Sequence, residues 1–126
     1  DEDLILDLRL RELNKYINKF IIVESGEDHQ GNLKKKNFNI NNFYEFKNKI
    51  DYYYIEKFPE FIKEPWKREN YQRNYLINGL KEAQPDDLII ISDVDEIPNL
   101  NFFIKENNFN NYYVFEQKMF YYKFNL

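Results

Sequence analysis

Leu88-Ile89-Ile90-Ile91-Ser92-Asp93-Val94-Asp95-Glu96-Ile97-Pro98 is the stretch on which the fold turns. Four consecutive aliphatic residues running straight into acids predict a strand covered on both faces that ends at an acidic turn. In open α/β sheets, ligands bind at the carboxyl ends of the strands. Residues two apart on an extended chain point the same way, so Asp93 and Asp95 are expected to converge on one cation while Val94 faces the other side. Two hard oxygen ligands, completed by water and a substrate phosphate, suit magnesium or manganese. Such an ion offsets the charge of a diphosphate and stabilises it as a leaving group. The same two acids also suit a solvated turn or a helix N-cap. A calcium loop of EF-hand type is excluded, because the Gly and the later ligands it needs are missing.

Upstream of this stretch, Pro65-Trp66 opens a helix expected to run to about Ala83, where Gln84-Pro85 stops it. Within it, Glu69, Gln72 and Arg73 share one side. Arg73 can meet a phosphate or a carboxylate in fork geometry, and an ion pair with Glu69 is the plain structural alternative. Earlier in the chain, leucines at three- and four-residue spacing predict a helix over residues 4–18, with Arg9, Arg11, Glu12 and Lys15 between them. Phe20-Ile-Ile-Val23 reads as a buried strand ending in the turn Glu24-Ser25-Gly26. Residues 26–48 read as a long polar loop with little regular structure, and Ile50–Ile55 as a second strand. Beyond the acidic turn, a short helix is expected from Asn99 to about Asn107, then strands at Tyr112–Phe115 and Met119–Phe124. Strands alternating with helices indicate an α/β fold with a largely parallel sheet. No internal repeat or boundary interrupts the pattern, so residues 1–126 read as a single domain.

Composition narrows the chemistry. The chain has 126 residues, a net charge of −4 and no cysteine. A disulfide scaffold, a Cys-ligated zinc site and a thiol nucleophile are therefore excluded. The acidity speaks against a nucleic-acid partner, whose phosphates need a basic surface. No apolar run approaches the ~20 residues of a membrane helix. Phe (12) and Tyr (11) are abundant, but Asn, Lys and Ile are enriched with them and Thr is absent, so the aromatics read as core and compositional drift, not as sugar-stacking surface.

Trp66-Lys-Arg-Glu-Asn-Tyr-Gln-Arg-Asn74 followed by Ile90-Ile-Ser-Asp-Val-Asp-Glu-Ile-Pro98 resembles glycosyltransferase family 17. Supporting matches lie at Leu6-x-Leu-Arg-Leu-x-Glu-Leu13, at Phe20-Ile-Ile-Val-Glu-Ser25, at Gly31 and Lys34, and at Met119-Phe-Tyr-Tyr-Lys-Phe-Asn125. The resemblance implies a GT-A-type nucleotide-diphospho-sugar transferase fold, a UDP-sugar donor carrying N-acetylglucosamine, manganese or magnesium, a glycan acceptor and inversion at the anomeric carbon. It implies Asp93 and Asp95 as the metal and diphosphate motif, with Asp95 the direct ligand and Asp93 contacting ribose or a metal-bound water. Glu24, at a strand end, falls where such folds read the nucleotide. Lys34 and Arg73 become candidates for neutralising the diphosphate or holding the donor sugar, while Trp66 and Gln72 hold their helix in place.

His29-Gln30 stands where relatives have an aromatic, and Leu33 where they have Pro, so the donor loop departs from the family pattern. Family domains also continue beyond the position of Leu126, and on that ground the chain reads as the donor-binding, N-terminal portion of an enzyme. An inverting transfer needs a general base; Glu96 and Glu116 are the carboxylates available, and neither is assigned. Two other functions are consistent with the sequence: an inactive nucleotide-sugar-binding module, and a phosphohydrolase using Asp93 and Asp95. The latter expects a Gly-rich turn that Ile97-Pro98 does not supply. The resemblance places the protein in the cytoplasm if bacterial or viral and in the Golgi lumen if eukaryotic; no Asn-x-Ser/Thr sequon occurs despite the many Asn.

Overall fold

The computed structural model describes residues 2–103 and 112–117. They divide into two compact units, a terminal unit drawn from residues 1–16 and 88–126 and a central unit of residues 17–87. The architecture is α/β, and among the described residues the sheet is a parallel pair.

In the central unit, strand β1 (Phe20–Ser25) pairs with β2 (Ile50–Ile55) in parallel, running from Phe20 opposite Ile50 to Ser25 opposite Ile55. Both strands lie where the β-branched and aromatic runs predict them. A parallel pair needs a crossover of a dozen or more residues. Residues 26–49 supply it, and they are more ordered than a bare loop: Ile40–Phe46 forms two short 3-10 turns that meet at a kink at Phe43, the first capped by the Asn39 side chain. The crossover buries Phe43 and Phe46 beside the strand residues Phe20, Ile50 and Ile55 and the following Phe58 and Ile62 as the core of this unit. Each such side chain stabilises the fold by about 1.5–3 kcal/mol. These phenylalanines accord with the reading of the aromatics as core.

Helix α2 (Pro65–Tyr75) starts at its proline as expected but ends eight residues before Ala83, giving way to a 3-10 turn over Leu76–Leu80. The cause is tertiary. A side chain at Gly79 would sit 2.6 Å from Ile21 Cγ2 on β1, so glycine lets the chain tighten and press onto the strand. Gln72 Nε2 donates to the Val23 carbonyl at 3.2 Å and the Tyr53 hydroxyl to that of Asn78 at 3.0 Å, tying helix and turn to the sheet. Gln72 thus holds the helix as expected. Trp66, expected to share that role, is 72% exposed.

In the terminal unit, α1 (Glu2–Leu13) carries Glu2 and Asp3 in its first turn and Arg11 in its last, matching the helix dipole. It buries Leu10 and Leu13 and ends before residue 18, in a turn closed by Tyr16 N–H to the Leu13 carbonyl. The strand expected at Leu88–Ile91 does not form. The segment is irregular, with Leu88, Ile89 and Ile91 50%, 51% and 62% exposed. A strand covered on both faces requires ladder partners, and among the described residues none pairs with it. Tyr112–Phe115 is likewise no strand. Helix α3 (Leu100–Phe103) begins the helix expected from Asn99; its predicted continuation and the strand expected at Met119–Phe124 lie outside the described residues. No helix among the described residues is long and apolar enough to cross a membrane.

Candidate functional site

Asp93 and Asp95 do not alternate along an extended strand. Residues Asp93 to Glu96 form a tight turn in which the Glu96 N–H donates to the Asp93 carbonyl at 3.1 Å, with Val94 and Asp95 at its tip. The turn is reinforced at its base. The Asp93 N–H donates to Glu96 Oε2 at 3.0 Å, and the Ser92 hydroxyl donates to the Glu96 carbonyl at 3.2 Å. Short polar side chains that bond nearby backbone compete with extended structure, so Ser92 and Glu96 favour the turn over a continued strand.

Arg9 of α1 closes this turn. Its Nη1 donates to the carbonyls of Asp93 at 2.8 Å and Glu96 at 2.7 Å, and its Nη2 to Ser92 Oγ at 2.6 Å. Burial pulls the Arg9 guanidinium below its usual range, while the charges of Glu96, Asp93 and Asp95 work in the opposite direction. Arg9 was missed in the sequence, although a signal existed: it lies three residues after Leu6 and four before Leu13, on the flank of an otherwise apolar stripe.

Asp93, Val94, Asp95 and Glu96 are all exposed. Among the described residues no cluster of three or more His, Cys, Asp or Glu side chains is placed to cage an ion. The donor set still fits a hard divalent cation that takes few protein carboxylates and completes its shell with water and substrate phosphates, as magnesium and manganese do. Of the two carboxylates weighed as general base, Glu96 is an acceptor within the turn itself, and Glu116 is exposed.

The other candidate residues lie in the central unit. Glu24, at the end of β1, is 8% exposed, and both its carboxylate oxygens are engaged. Oε1 accepts from the Asn37 N–H at 2.6 Å; Oε2 accepts from the Phe38 N–H at 3.1 Å and the Tyr52 hydroxyl at 2.7 Å. Burial pushes this carboxyl up, but the Asn37, Tyr52 and Phe38 donors and the nearby Lys34 charge outweigh it and hold Glu24 below its usual range. Desolvation and the Glu24 charge raise the Tyr52 phenol in turn. Phe38 stacks on Tyr52 at 4.4 Å between centroids, and Lys36 Nζ lies 4.8 Å over the same ring.

Lys34 is exposed beside this cluster, its N–H donating to the Gly26 carbonyl at 2.8 Å. The loop before it is fixed by Asp28, whose Oδ1 accepts from the Gln30 and Asn32 N–H groups. Gly31 there has φ of 90°, which favours glycine, and Arg68 donates to the His29 carbonyl at 3.1 Å. Arg73, exposed, pairs with the half-buried Glu69 one turn back at 3.2 Å. The structure therefore couples Glu24 with Lys34, and it couples Asp93, Asp95 and Glu96 with Arg9.

The sequence model of glycosyltransferase family 17 matches residues 1–126, the whole chain. A β-1,4-mannosyl-glycoprotein 4-β-N-acetylglucosaminyltransferase of Homo sapiens is 31% identical over 103 residues, covering 75% of this chain and 19% of the relative. Proteins of the same description from Rattus norvegicus and Mus musculus are 31% and 30% identical with the same coverage. The chain thus spans about a fifth of the length of these relatives. No solved structure matches significantly.

Proposed function

The chain belongs to glycosyltransferase family 17, and from that premise we propose that it binds a UDP-sugar through a divalent metal at Asp93 and Asp95 and serves transfer of that sugar to a glycan acceptor. One observation carries the reading: a member of this family presents two aspartates on an exposed turn whose backbone is fastened by Arg9, Ser92 and Glu96. Asp95, at the tip, is the direct metal ligand, and Asp93 contacts ribose or a metal-bound water. The relatives' description favours N-acetylglucosamine as the sugar and a mannose-bearing glycan as acceptor. The fold of the whole catalytic domain is of GT-A type in this reading, and transfer inverts the anomeric carbon: the acceptor oxygen bonds to it as its bond to the diphosphate breaks, UDP leaves, and the hydroxyl proton passes to a general base.

The bound ion would supply charge neutralisation of the departing diphosphate. The chain's own residues hold and orient the donor. Lys34 and Arg73 are, by the family resemblance, the cationic candidates for diphosphate or sugar. Glu24 keeps the crossover loop seated on the strand end, with Lys34 beside it.

Incubation with UDP-N-acetylglucosamine, manganese and a mannose-terminated glycopeptide tests the reading, with released UDP and product mass as readouts. Metal-dependent UDP release, abolished in Asp95→Ala, supports it. Binding of the donor with no release or transfer would instead favour a nucleotide-sugar-binding module.

A further inference from the structure

The first helix reaches the acidic turn through a guanidinium, and the atoms it selects are informative. Arg9 bonds fall on two backbone carbonyls and a hydroxyl, at both ends of a turn only four residues long. We propose that Arg9 is a positioning residue for the metal–diphosphate centre, locking the Asp93–Glu96 turn in the form that presents Asp93 and Asp95. The inference rests on the reading of those two aspartates as metal and diphosphate ligands.

Charge is the first reason. Asp93, Asp95 and Glu96 place three carboxylates within four residues, and their mutual repulsion favours an open chain. Arg9 interacts electrostatically with all three. A cation placed on the carbonyls relieves that repulsion without occupying the carboxylate oxygens that a metal would use.

Geometry is the second. The turn is closed by one backbone hydrogen bond, from Glu96 N–H to the Asp93 carbonyl. Nη1 of Arg9 bonds the carbonyls of these same two residues, so it sets the span of the turn from outside, and Nη2 fixes Ser92 just before it. A planar fork with several N–H groups can do this at once; a lysine ammonium carries the charge but lacks the fork. The site is thereby built before any ligand arrives, which lowers the ordering cost of binding.

The test follows manganese uptake by the 126-residue chain through loss of the free-ion electron paramagnetic resonance signal, with UDP present. Arg9→Lys is expected to weaken manganese affinity about tenfold, and Ser92→Ala, which removes one arm of the fork, about threefold. Amide exchange at Glu96 should quicken in Arg9→Lys while exchange in β1 stays as in wild type, a pattern that general destabilisation would not give. Unchanged manganese affinity in Arg9→Lys overturns the role of Arg9 and leaves the metal site standing. If Arg9→Lys fails to fold, unchanged affinity in Ser92→Ala overturns it equally. A wild-type chain that takes up no manganese with UDP overturns the metal site itself, and this inference with it.

Discussion

Arg9 Nη1 lies 2.7 Å from the carbonyl oxygen of Glu96, so a residue of the first helix closes a turn 87 positions later in the chain. The contact is a charge-assisted hydrogen bond made by a half-buried guanidinium, but the Asp93 and Glu96 carbonyls it meets lie on an exposed turn, and water can replace it there when it is removed. Arg9→Met should therefore destabilise the protein by only about 1 kcal/mol in urea denaturation, despite severing three hydrogen bonds. A loss of several kcal/mol would mean that the turn is a keystone of folding and not chiefly a site feature.

Gly79 should tolerate no side chain. Its Cβ would meet three atoms of Ile21 at 2.6–2.7 Å. Gly79→Ala is expected to cost about 1–3 kcal/mol by overpacking. Ile21→Ala in the same chain should recover part of that loss, so the double variant is less destabilised than the sum of the singles. Additive losses would contradict the contact.

Acid should unfasten the crossover loop. The Glu24 carboxyl is held below its ordinary value of 4.5 in the folded chain. The unfolded chain then binds more protons as pH falls, so this contribution is present above pH 4.5 and is lost as pH drops through the lower folded value. Stability measured by denaturation between pH 7 and pH 3 should decline more steeply in wild type than in Glu24→Gln. Parallel profiles for the two proteins would contradict the assignment.

Donor binding should separate Arg73 from its helix neighbour. Arg73→Ala is expected to weaken metal-dependent UDP-sugar binding about tenfold, whereas Glu69→Ala, which removes a half-buried partner carboxylate, should leave it near wild type. Titration calorimetry on the two variants decides between a phosphate contact and a purely structural pair.

Local pattern made some of this legible and tertiary contact hid the rest. Phe20–Ser25 and Ile50–Ile55 were readable because continuous apolar and aromatic runs of strand length leave few other options. The start of α2 was readable from Pro65. Its end was not, because Gly79 acts through Ile21, 58 positions away. Leu88–Ile91 shows the limit from the other side: its aliphatic run states a need for cover, but pairing depends on a partner strand, and among the described residues none pairs with it. The acidic motif was found by its residue types, and a solvated turn was one of its two readings; the bonds from Arg9, Ser92 and Glu96 that shape the turn were not legible, since they depend on side chains meeting backbone. Glu24 was placed correctly at the end of β1, while its saturation by Asn37, Phe38 and Tyr52 depends on how the crossover folds back.

Calorimetric titration of UDP into the chain, with manganese and then with excess chelator, reads metal-dependent donor binding at Asp93 and Asp95. Binding is expected with manganese or magnesium, none with chelator, and none in Asp95→Ala even with metal. Binding of UDP that persists in chelator or in Asp95→Ala, or its absence in wild type with manganese, would contradict it.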